Sequence, residues 1–92
     1  MVAQNYFSHT SQDGRTPFDR ISATGYQWWS VGENISANPA SVNAVIDSWM
    51  ASPGHCANLM NPNFRDVGLA CVAGGSQNTY RLYWTLELAQ PR

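Results

Sequence analysis

From residue 66 to residue 88 the chain is written in twos. Val67, Leu69, Cys71 and Ala73 fall on one side of the first run. In the second run, from residue 79, Tyr80, Leu82, Trp84, Leu86 and Leu88 share one side, and Arg81, Tyr83, Thr85 and Glu87 share the other. Period-two alternation of this kind predicts β-strands. Gly74-Gly75-Ser76-Gln77-Asn78 lies between the runs and predicts a hairpin turn.

The preceding part of the chain has a helical period. Val42, Val45, Ile46, Trp49 and Met50 recur at intervals of three and four, while Asn43 and Asp47 point away. Asn38-Pro39 is expected to open this helix. A shorter helix is expected from Thr16-Pro17-Phe18-Asp19: threonine caps, proline takes the first position, and aspartate meets the positive end of the dipole. Gly25 is placed to end it. Residues 1 to 5 read as the tail of a helix, and residues 30 to 36 as extended or irregular chain carrying Glu33. Helices followed by an antiparallel hairpin that they can cover give an α+β layout, read as one domain over residues 1–92.

A second turn of chemistry sits between these halves. Ser52-Pro53 restarts a helix after Met50, since serine caps and proline suits the first helical position, and Asn61-Pro62 stops it. The short turn between presents His55, Cys56 and Asn58. Cys56 and Cys71 are the only cysteines. In a small, loop-rich domain such a pair predicts a disulfide and an oxidising compartment. Two free thiols remain the alternative. A zinc site would lack the close C-x2-4-C pairing of structural zinc.

Composition removes several function classes. The chain has no lysine, and its five cations are Arg15, Arg20, Arg65, Arg81 and Arg92. A Schiff-base mechanism is excluded, and no polybasic patch exists for nucleic acid or an acidic membrane surface. No apolar run reaches the length of a transmembrane segment, and no signal peptide is visible. No G-x-S-x-G elbow is present. A net charge of −1 offers little resistance to association.

Five motifs occur in order: Asn5-Tyr6-Phe7-Ser8-His9-Thr10, Gly14-Arg15-Thr16-Pro17-Phe18-Asp19-Arg20-Ile21, Gly32-Glu33-Asn34-Ile35, the stretch from Trp49 through Ser52-Pro53-Gly54-His55 to Asn61-Pro62, and Tyr83-Trp84-Thr85. Together they resemble the CAP superfamily of cysteine-rich secretory proteins, insect venom antigens and plant pathogenesis-related proteins, in its bacterial form. The resemblance implies an α-β-α sandwich around a small antiparallel sheet. It implies a cleft in which His9 takes the place of the first histidine and Glu33 that of the acid in the G-E-N motif. His55, Asn58 and Tyr83 are further cleft candidates. Three positions depart from the family pattern: Ser52 stands where eukaryotic relatives have a second acid, Tyr83 where they have a second histidine, and Leu86, on the same strand, where they usually have glutamine.

The function expected of such a domain is binding rather than turnover. The ligand would be a small amphiphile, a lipid or sterol, or a partner protein, bound outside the cytoplasm, in an extracellular or periplasmic setting. No cofactor is required; a divalent metal such as zinc on His9, Glu33 and His55 would make the alternative, a metal-dependent hydrolase or protease. A purely structural or interaction module is the third reading. Relatives begin with a long helix before the first motif, and Met1 falls about where it would end. An N-terminally truncated sandwich of this kind is expected to expose apolar surface, covered by self-association or by further chain.

Overall fold

The computed structural model describes residues 1–2, 5–76 and 78–92. Three helices and three strands follow one another as α1 (Pro17–Ala23), β1 (Trp28–Ala37), α2 (Val42–Met50), α3 (Pro53–Leu59), β2 (Asp66–Ala73) and β3 (Leu82–Pro91). The strands form one antiparallel sheet in the order β1-β3-β2. Helices α2 and α3 cover one face and α1 lies on the other, so the expected α-β-α arrangement is present.

Alternation along β3 decides which side is core. Trp84, Leu86 and Leu88 point toward α2 and pack with Val45 and Trp49, with Ile46, Leu59, Phe64 and Leu82 around them. Trp49 is almost fully buried, and its Nε1–H donates to the Ile35 carbonyl at 3.1 Å. Trp84 Nε1–H donates likewise to the Pro39 carbonyl at 2.9 Å. Each indole therefore buries its ring without stranding its donor. The opposite side of β3 carries Tyr83, Thr85 and Glu87.

The short helices are held by their ends. Thr16 and Asp19 form a reciprocal capping box on α1. Gly25 follows α1 with φ +86°, the left-handed position that glycine favours. Helix α2 begins later than the proline suggested. Ser41 is its cap, accepting from Ala44 N–H at 3.1 Å. Asn38 instead adopts φ 81° and bonds to Leu82 and Arg81, closing the end of β1 against β3. Pro53 does open α3, although the Ser52 side chain makes no cap bond.

The stretch around Glu33, expected to be extended or irregular, is a regular ten-residue strand with one irregularity between Trp28 and Ser30. The last strand starts three residues later than the alternation suggested, because Thr79 N–H and Tyr80 N–H bond to Asn5 and to the Tyr83 hydroxyl. In the expected turn, Gln77 lies outside the described residues, as do residues 3 and 4 of the expected helical tail. Around those two, Asn5 N–H and Tyr6 N–H bond back to Val2 and Met1 carbonyls.

Strand β2 is the exception to good cover. It pairs only with β3, and all eight of its residues are exposed. Val67 is 67% exposed and Leu69 45%. The disulfide expectation fails here too: Cys56 and Cys71 are both free. Helix α3 packs against β1 and α2, whereas Cys71 sits on β2, and β3 runs between β1 and β2. Cys56 lies instead beside Met50, with the sulfurs 3.9 Å apart.

Gly32 marks the tightest approach of sheet to helix layer. A Cβ there would meet Phe64 Cε2 at 2.9 Å and Asn58 Oδ1 at 3.2 Å. The Gly32→Ala variant is expected to lose about 1–2 kcal/mol of stability through overpacking, read as a lower urea midpoint.

Candidate functional site

Successive residues of a strand point to opposite faces, and this divides the Gly32-Glu33-Asn34 motif in two. Asn34 turns toward α3 and is fully buried. Its Nδ2 donates to the His55 carbonyl at 3.1 Å, and its Oδ1 accepts from Asn58 Nδ2 at 2.9 Å. Asn58 Nδ2 also reaches the Glu33 carbonyl at 3.3 Å. The third and fourth of the five motifs are thus stitched together by amide groups. His55 contributes its backbone to this clamp.

Glu33 turns the other way, under α1. Its side chain is 2% exposed, yet both oxygens are satisfied. His9 Nδ1 lies 2.6 Å from Oε1, and Arg20 Nη2 donates to Oε2 at 2.7 Å. Arg20 is itself anchored, donating through Nη1 to Ser11 Oγ at 2.8 Å and to the Arg15 carbonyl at 3.2 Å. One carboxylate therefore ties together the loop that carries His9, helix α1 and the sheet.

Next to it stands a second carboxyl. Glu87 is the register partner of Glu33 across β1 and β3, so both side chains leave the same face as neighbours. Arg20 Nη2 is 3.9 Å from Glu87 Oε1, too far for a hydrogen bond. Among the described residues Glu87 Oε2 is buried and meets no donor. Burial, together with a hydrogen bond to Glu33 and repulsion from its charge, pushes the Glu87 carboxyl up to about 9, against a smaller opposing pull from Arg20. A proton held on Glu87 would let it donate toward Glu33 and would give the buried oxygen a partner. The alternation in the sequence puts Glu87 on this face of β3 without giving it a role, and it gives none to Arg20. The available signal was that the chain has only two glutamates, and one fell on the polar side of an alternating strand.

Glu87 and Arg20 also line an open cavity of about 450 Å³ between α1 and the β3–β2 edge. Its walls are largely apolar, with Ile21 from α1 and Ala89 from β3. Tyr26 and Asp66 stand at the same cavity, joined by a hydrogen bond from the tyrosine hydroxyl to Oδ2. That bond, with a lesser contribution from desolvation, pushes the Tyr26 phenol up to about 12. Opposite Glu87 in the register is Gly68, where a Cβ would find nothing within 4 Å. The cavity exists partly because β2 offers no side chain there. On the other side of Arg20, a smaller chamber of about 130 Å³ is lined by Tyr6, Ser8, Glu33 and Thr85.

The sequence candidates therefore separate. His9 and Glu33 meet as expected. His55 and Asn58 belong to the clamp on the far face of the sheet. Tyr83 shares the Glu33 face but lies farther along the strand, where its hydroxyl bonds Asn5 and its ring packs with Phe7 and Tyr80. A metal on His9, Glu33 and His55 does not fit this arrangement, because both Glu33 oxygens are already engaged and His55 is across the sheet. Among the described residues no three His, Cys, Asp or Glu side chains are grouped to hold a metal ion.

Residues 1–88 match the profile of CAP, the cysteine-rich secretory protein family. The chain belongs to the CAP family. It is 38% identical over 76 residues to the Bacillus subtilis protein YkwD, an alignment covering 83% of this chain and 30% of YkwD. It is 32% identical over 69 residues to the Bacillus subtilis membrane protein YlbC, covering 75% of this chain and 20% of YlbC. The CAP domain here thus spans less than a third of either relative. Among solved structures, an extracellular SCP-domain protein from Bacillus anthracis superposes with TM-score 0.78 at 30% identity, over 96% of this chain and 27% of that one. An outer surface protein of Borrelia burgdorferi shares the fold, with TM-score 0.83 at 19% identity, over 98% of this chain and 64% of that one.

Proposed function

We propose that this CAP domain binds a small amphiphile in the cavity between α1 and the sheet. The observation that carries the reading is the meeting of two unlike surfaces in one concavity: an apolar wall from Ile21 and Ala89, and a polar end at Arg20 and Glu87. The volume lies within the range of small-molecule sites, which combine apolar lining with a few fixed polar groups. Glu33 serves as a positioning residue in this reading, since it holds Arg20 and is itself closed to solvent. Turnover is not part of the proposal. An extracellular or surface setting is proposed from the similar solved structures, and no helix among the described residues is long and apolar enough to cross a membrane.

Alkyl ligands of increasing length test the reading. Affinity is expected to rise about fourfold for each added methylene until the cavity is full, because each buried CH₂ contributes about 0.8 kcal/mol. The Gly68→Phe variant places a ring in the open space beside Glu87 and should abolish that dependence while the chain stays folded. Displacement of the neutral fluorophore N-phenyl-1-naphthylamine provides the readout. Equal binding by wild type and Gly68→Phe would rule the cavity out as the site.

A further inference from the structure

Resting on that reading, we propose that the polar group of the ligand is an ammonium, and that Glu87 is the residue that selects it. One basic and two acidic side chains line the cavity: Arg20, with Asp66 and Glu87. The single cation among them is already engaged. Arg20 gives Nη2 to Glu33 and Nη1 to Ser11 and Arg15. An anionic head group would have to share Arg20 with Glu33 and would stand beside two further acidic side chains, Glu87 and Asp66. Like charges brought together at close quarters repel. Anions are therefore disfavoured even though an arginine is present.

The acids are in the opposite position. Glu33 and Glu87 leave the sheet side by side, and one guanidinium stands between them. That is one carboxyl more than Arg20 can pair, and Glu87 Oε2 is buried without a partner among the described residues; burial and the neighbouring Glu33 favour a proton on Glu87. A cation brought by the ligand can take the place of that proton. Its alkyl body would lie against Ile21 and Ala89, with the ammonium at Glu87 Oε1. The event balances as R–NH₃⁺ plus Glu87 carboxylic acid giving the R–NH₃⁺ carboxylate pair and a free proton. The charged and titratable groups around Glu87 are Glu33 from β1, Arg20 from α1 and, at the cavity wall, Asp66 from β2 with Tyr26. His9 engages Glu33 and does not line the cavity.

The experiment compares decylamine, decanol and decanoate, each below its micellar concentration, by calorimetry on the whole chain. Titrations run at neutral pH in two buffers of different ionisation enthalpy. Decylamine is expected to bind at least about tenfold more tightly than decanol. It should release about one proton per ligand as Glu87 ionises. Decanoate should be the weakest of the three. Glu87→Gln should remove the difference between decylamine and decanol within that variant and abolish proton release. Equal binding of amine and alcohol to wild type, or a preference for decanoate, would overturn the ammonium assignment and leave the cavity reading standing. If none of the three binds, the cavity reading falls and this assignment falls with it.

Discussion

Glu33→Ala is expected to destabilise the fold by about 3 kcal/mol, the low end of the range for removing one member of a buried ion pair, because Arg20 keeps partial access to water. The loss has three parts. Arg20 and His9 are left without their acceptor, a small void opens under α1, and the loop from residue 8 to residue 16 loses its tie to β1. Glu33→Gln keeps the shape and one acceptor oxygen and should lose less. Urea denaturation with an unchanged m-value checks the size of the effect. Hydrogen exchange locates it: amides of α1 and the preceding loop should lose protection, while those of α2 keep theirs. Wild-type stability in Glu33→Ala would mean that the cluster is held by packing rather than charge.

The second large effect concerns pH. The unfolded chain releases the Glu87 proton near 4.5, whereas the native chain keeps it to about 9. Between those values the native state binds more protons, so stability falls as pH rises. The contribution is fully present below 4.5 and lost by about 9. A quarter of the Glu87 side chain is reached by water, so the size of this drop is set at about 1–2 kcal/mol rather than at the full linkage value. Asp13 and Asp19 act in the other direction. Backbone N–H donors, of Arg15 and Thr16 respectively, hold both carboxyls below their usual value of 3.8, so their stabilisation is lost as the solution becomes more acidic. Thermal melts should therefore peak in mildly acidic solution and decline toward alkaline pH. Glu87→Gln should remove the alkaline decline and leave the acid limb intact. An unchanged slope in that variant would place the titrating group elsewhere.

Much of this architecture is legible in local pattern. The spacing of Val42, Val45, Ile46 and Trp49 marks the face of α2 that meets the sheet. The alternation of Trp84, Leu86 and Leu88 marks the sheet face that meets α2. Capping chemistry at Thr16 and Asp19 is readable because it is completed within four residues. The site is less legible, for a geometric reason. Family resemblance brings His9, Glu33, His55, Asn58 and Tyr83 to one cleft, but a β-strand sends neighbours to opposite sides. Glu33 and Asn34 are adjacent in sequence and belong to different faces. The pairing of Glu33 with Glu87 depends on the register between β1 and β3, which no local signal sets. The cysteines fail for a related reason. Their separation says nothing of the strand β3 that comes between the helix carrying one and the strand carrying the other.

Strand β2 supplies Asp66, Val67 and Gly68 to the cavity, yet it is joined to the sheet along one edge and is exposed on both faces. The wall on that side is therefore the part of the fold with the least apolar anchorage. Its amides should exchange faster than those of β1, although both strands pair with β3, because low-stability segments open without global unfolding. On the binding reading proposed above, the gateway is built into the secondary structure. Fraying of β2 from its Asp66 end would break the contact with Tyr26 and widen the mouth before α1 has moved at all. Residence time would follow the frequency of that fraying, so a guest could be gripped tightly at equilibrium and still be exchanged rapidly.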